Sequence, residues 1–241
     1  MKKFKLLTYL FIASLIIMPS NLVKAAESIP TNEDISNTED DTLDLRLDKI
    51  VVHTDYNTDE VNVVRQATID GVTTVEIVDK NTNALIETLT EYVEGSTQNQ
   101  LLRASGVNSN IVVKRDQYKG PFVLSFVMHL NVYQSGSFRQ INSVLSKNYY
   151  ITSSSSFTLE NVDASVYASS FPTTEVKYSG SGVLTGEVYF EAGHSTSNEG
   201  GFTIGELISA GFTVSEESSS VFGINYYVRG FVSISGTYSV Y

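Results

Sequence analysis

The sequence predicts an all-β protein, mainly antiparallel, built as a sandwich or as two packed β-modules with long amphipathic C-terminal strands. Three observations predict it. Apolar and polar residues alternate with a period of two through 122–133, 176–192 and 223–241, the spacing that puts successive side chains on opposite faces of a strand. Turn formers punctuate these runs, most clearly at Asp70-Gly71 between two β-branched segments. No later stretch is long and apolar enough to span a bilayer as a helix, a span that takes roughly 20 residues.

In chain order, residues 1–25 have the layout of a secretory signal peptide. Lys2, Lys3 and Lys5 precede an apolar run from Leu6 to Met18, and Val23-Lys24-Ala25 offers a cleavage site after Ala25. Residues 26–48 carry eight acids against one base, Arg46, and are nearly free of large apolar side chains before Leu43. Such a stretch buries too little surface to offset its ordering entropy, so a flexible acidic arm is expected there, with order beginning near Leu47.

Residues 49–110 are expected to form an N-terminal β-meander. Asp70-Gly71 suits a two-residue hairpin turn in which both positions need positive φ, and Asp79–Asn83 marks the next turn. Asn83–Tyr92 has some helical propensity, but Thr82, Thr88 and Thr90 favour a strand. The polar run 94–110 is expected to be a loop or a seam. Residues 111–241 then form a C-terminal antiparallel β domain. In it Phe122, Leu124, Phe126, Met128, Leu130 and Val132 alternate without a break.

The two longest alternations share one design. In 176–192 Val176, Tyr178, Leu184, Val188, Phe190 and Ala192 fall on one face with Gly180, Gly182 and Gly186. In 223–241 Ile224, Tyr226, Val228, Val232, Ile234, Tyr238 and Val240 do the same with Gly230 and Gly236. Each run could reach about 50 Å at roughly 3.3 Å per residue, so the glycines are expected to break each into two shorter strands. Between them, Thr203 and Glu206 have capping-box spacing for a short helix. Phe202, Ile204, Ile208, Phe212 and Val214 fit a strand, which is the preferred reading.

Charge and composition exclude some functions. The formal net charge is −11, and loss of the four lysines of residues 1–25, which contain no acid, takes it to −15. Phosphate backbones repel such a chain, so no nucleic acid partner is expected. There is no cysteine, so an exported form must be held by its core alone.

No catalytic, cofactor-binding or metal-ligating residue is expected. The three histidines, His53, His129 and His194, lack metal-ligand spacing. His129 lies on a polar strand face, and Glu191 with His194 sits in a serine-glycine loop that makes a poor cage. No D-x-D-x-D-G calcium loop, G-x-S-x-G elbow or phosphate loop occurs. Gly180-Ser181-Gly182 has no base near it in sequence, and Glu216-Glu217 reads as solvated loop charge. A serine–histidine–acid triad assembled by the fold from distant positions stays open.

The long alternating strands admit two readings. One face packs a core and the other meets water, which is preferred, or the apolar face is reserved for lipid in a membrane barrel. The segment TTVEIVDKNTNALIETLTEYV (73–93), placed after a lysine-led leader and an acidic start, resembles a family of small exported toxin-like proteins of Gram-positive bacteria. The resemblance covers at most the N-terminal third and brings no catalytic residues. It implies secretion and action on other cells by contact or insertion. The expected function is that of a secreted, non-enzymatic protein, toxin-like or membrane-active, with a target-cell membrane or surface receptor as partner. The alternative is an extracellular surface or matrix binding module that uses exposed Tyr and Phe. The chain stops in a strand with no wall-sorting signal, so free release is expected.

Overall fold

The alternating runs fold as strands. The computed structural model describes residues 35–37, 43–66, 68–95, 106–152, 156–198 and 200–241. The leader assigned to 1–25 and most of the acidic arm lie outside the described residues. The elements are β1 (Ile35–Asn37), β2 (Leu43–Arg46), β3 (Ile50–Thr54), β4 (Val61–Arg65), β5 (Thr73–Asp79), β6 (Leu85–Val93), β7 (Val107–Lys119), β8 (Phe122–Ser135), β9 (Phe138–Ile151), β10 (Phe157–Tyr167), β11 (Glu175–Glu191), α1 (Ile204–Ser209), β12 (Thr213–Ser220) and β13 (Gly223–Val240).

They make two antiparallel sheets. The first runs β1-β2-β3-β13-β11-β10, with β12 also pairing with β13, and the second is a continuous meander β4-β5-β6-β7-β8-β9. The predicted all-β antiparallel class is the observed one, as a two-sheet sandwich. Residues on either side of position 110 share the second sheet, because β6 pairs with β7, and β3 joins the first sheet beside the last strand. The Asp70-Gly71 turn has φ of 51° and 77°, the two positive values a type I′ hairpin needs. At the next turn the Asp79 carboxylate accepts from the N–H of Asn81 and Thr82, an Asx turn.

One core lies between the sheets. From the second sheet it takes Leu89, Ile111, Val113, Phe122, Leu124, Phe126, Met128 and Leu130, and from the first Val176, Tyr178, Leu184, Val188, Val228, Val232 and Tyr238. Each such side chain contributes roughly 1.5–3 kcal/mol when fully buried. The apolar faces of β11 and β13 are therefore core faces in this fold.

Three expectations are corrected. First, the acidic arm does not extend to residue 48: Leu43–Arg46 is a strand, and Leu43, Leu45 and Leu47 are buried. Three leucines at a spacing of two outweigh the acids around them once a neighbouring strand is present. Second, the glycines do not divide the long strands. β11 and β13 pair without a register shift from Glu175↔Ser239 to Glu191↔Gly223. Their glycines make room for rings: a Cβ on Gly180 would stand 2.8 Å from Tyr149 Cγ, and one on Gly230 2.4 Å from Phe212 Cδ1. Third, the segment after residue 202 begins as a helix. Thr203 Oγ1 accepts from the N–H of Glu206, and the Glu206 carboxylate accepts from the N–H of Thr203. This reciprocal cap stabilises the first turn, and it prevails over strand alternation because the helix buries Leu207 between Phe202 and Phe212, both also buried.

Candidate functional site

Two places in this fold collect groups capable of chemistry or binding. One crosses three strands on the outer face of the first sheet. Because Leu43, Leu45, Val52, Tyr238 and Val240 point into the core, alternation sends Asp44, His53, Thr237 and Ser239 to the other face. Register sets Asp44 opposite His53 and His53 opposite Thr237, two residues before Ser239. The side chains then meet: Asp44 Oδ1 lies 2.6 Å from His53 Nδ1, and His53 Nε2 lies 2.7 Å from Ser239 Oγ. The Asp44 side chain is 12% exposed and that of His53 34%. A carboxylate only accepts, so Nδ1 carries a hydrogen, and with one proton on the ring Nε2 is left to accept from the Ser239 hydroxyl. This is the order acid, base, hydroxyl that activates a serine nucleophile. Beside it, the Arg46 guanidinium sits 4.4 Å from the centroid of the Tyr241 ring, and that of Arg139 4.7 Å from the same ring.

Sequence reasoning did not single out this line. Asp44 and His53 are 9 positions apart and His53 and Ser239 are 186 apart. The one available signal was that all three stand on the polar side of alternating strands, which gives a face and not a neighbour.

The second place is the end of the sandwich closed by α1. Phe122 packs edge-on against Phe157 and Phe212 at 4.5 and 5.0 Å between ring centroids, and Phe202 completes the plug. Around it, the loop after β11, the start of α1 and the β12–β13 hairpin enclose a pocket of about 500 Å³. Phe190, Ile204, Ile224 and Tyr226 supply apolar lining, and Glu191 and His194 polar groups. The sequence pair Glu191 and His194 thus borders one pocket. Among the described residues no group of three or more His, Asp or Glu side chains is placed to hold a metal.

The apex of the β12–β13 hairpin stands beside this pocket. Val221 is 85% exposed and Phe222 75%. The backbone beneath them is tied down, since Tyr189 Oη and the N–H of Ala192 both donate to Phe222 O at 2.8 Å. Ile208 on α1 is also exposed. The remaining sequence candidates are dispersed. His129 is half-buried, 3.7 Å from Glu94, Ser181 lies mid-strand in β11, and Glu216 and Glu217 are exposed on β12. No described helix is long and apolar enough to cross a membrane, which says nothing of strands. The chain matches no family model, no curated protein and no solved structure.

Proposed function

We propose that this is an exported protein that engages cell surfaces by laying the apex of the β12–β13 hairpin against lipid. The observation that carries the reading is the pair Val221 and Phe222, held outward on an anchored turn. Two large apolar side chains fixed in water at a loop apex cost solvation that a contact relieves. Their transfer is worth about 3–6 kcal/mol together, comparable with the marginal anchoring of a single acyl chain. Contact of this kind is reversible, and firm attachment needs several copies or a receptor. The strongly acidic chain favours zwitterionic over anionic bilayers. Export rests on the leader-like residues 1–25, and a culture-medium chain beginning at or near Ala26 is the expected mass-spectrometric result.

The test is flotation with phosphatidylcholine vesicles. The wild-type chain is expected to float with lipid, and Val221→Asp with Phe222→Asp to stay with the aqueous fraction at an unchanged melting temperature. Equal flotation of both proteins would refute the apex as the contact. A second reading, a surface or matrix binding module, draws on the adjoining pocket, whose aromatic and carboxylate lining suits a small polar ligand with an apolar face. Binding that is lost on Tyr226→Ala but kept in the apex variant would favour it.

A further inference from the structure

We infer that Ser239 is an activated nucleophile, with His53 as its base and Asp44 as the group that orients His53, and that it takes acyl groups from small carboxylic esters. The inference does not depend on the proposed lipid contact, which lies at a different part of the molecule.

The geometry carries it. A nucleophile needs a hydrogen bond to its base, and the base needs a third group that fixes its ring. Both bonds are present at 2.7 and 2.6 Å. The acid is the more buried of the two ionisable partners and the imidazole is a third exposed, so the ring is held from behind while its outer edge meets solvent. All three residues are on well-paired strands, which fixes their backbone positions more firmly than loops would.

The step balances without a cofactor. Ser239 Oγ bonds to the ester carbonyl carbon while its proton passes to His53 Nε2. The carbon–oxygen bond to the leaving alcohol breaks, and that alkoxide takes the proton from His53. Water, activated by the same imidazole, then releases the acid and restores Ser239.

The setting also predicts how fast this is. Ser239 pairs with Glu175 on one side and Val51 on the other, so the main chain here is engaged in the sheet and offers no oxyanion hole of free N–H groups. Loss of one such donor typically costs about 10²–10³ in rate. On this face Lys177, opposite Thr237 on the neighbouring strand, and Arg46, across Val51 from Ser239, are the cations near Ser239 by register, and are the groups available to a developing oxyanion. Slow acylation and slow deacylation are therefore expected, not rapid turnover.

The experiment is covalent labelling of the full-length protein with an alkyl fluorophosphonate, followed by digestion and mass spectrometry. One adduct is expected, on the peptide containing Ser239. Ser239→Ala should remove it, and His53→Gln and Asp44→Asn should slow its formation at least 10-fold in protein that still melts cooperatively. Should a His53 variant not fold, the wild-type chain supplies the decisive readout: 4-nitrophenyl acetate should leave acetyl on Ser239, seen by mass spectrometry of the digested chain. Absence of any Ser239 adduct with both reagents would overturn the inference. So would equal labelling rates in wild type and a folded His53→Gln, because the line would then be only a structural tie between strands.

Discussion

Glu91 shows how one side chain sets a pH response. It is buried, and its carboxylate accepts from the backbone N–H of Lys49 and Ile50 at 3.0–3.1 Å. Burial raises its pKa from 4.5 to about 7, against the opposing pull of those two donors. The folded value lies above the unfolded one, so the folded chain holds this proton more tightly between the two. Its stabilising contribution is complete below about pH 4.5 and is lost as pH rises through about 7. A gap of this size corresponds to about 3 kcal/mol. The difference in melting temperature between wild type and Glu91→Gln should therefore shift against the wild type as pH rises from about 4.5 to 7. A pH-independent difference would mean that burial does not raise the Glu91 pKa above its unfolded value.

At the scale of the element, β13 decides how the amphipathic strands are used. Val232 and Ile234 face the core, and Ser233 between them and Ser235 after them are exposed. Val232→Asp places an unpaired carboxylate in the core and is expected to cost about 3–5 kcal/mol, seen as a large fall in the urea midpoint without any lipid present. Ser233→Asp should change it by less than about 0.5 kcal/mol. The opposite order would mean that the two faces are wrongly assigned and that the apolar one is kept for something outside the protein. The same strand explains the glycines. Gly180 of β11 and Gly230 of β13 sit where rings need the volume of a missing Cβ, so an unbroken strand and a thick aromatic core coexist.

Across the whole molecule, a buried polar cluster ties the sheets at a gap in β13. β12 pairs with β13 only as far as Arg229 and β3 only from Thr237. Between them, among the described residues, that edge of β13 has no strand partner. Arg115 of the opposite sheet reaches this gap, donating to Ser235 O at 2.7 Å and to Tyr178 Oη at 2.6 Å while its fork is also paired with the Glu87 carboxylate. Glu87 and Arg115 are both buried. Burial raises the pKa of the Tyr178 phenol, which keeps it neutral. Arg115→Met leaves the Glu87 carboxylate buried without its main partner and should cost about 3–5 kcal/mol. The double variant Arg115→Met with Glu87→Leu should recover much of that loss by chemical denaturation. A double variant as unstable as the single one would show that the Tyr178 and Ser235 contacts, not the ion pair, hold the sheets here.

The sequence by itself determined the fold class, the faces of the strands and the positions of the tight turns. Those properties are local: side chains alternate in any strand, and Asp70-Gly71 adopts positive φ from its own chemistry. The tertiary structure alone decided which strands lie side by side, and so which residues meet. It brought Leu43–Arg46 into a sheet that their acidic neighbours argued against, and it selected helix over strand at Thr203–Glu206 through the burial of Leu207. It set Asp44, His53 and Ser239 in hydrogen-bonded order, a consequence of register between β2, β3 and β13. Register is a property of the assembled sheet, and no periodicity within one strand encodes it.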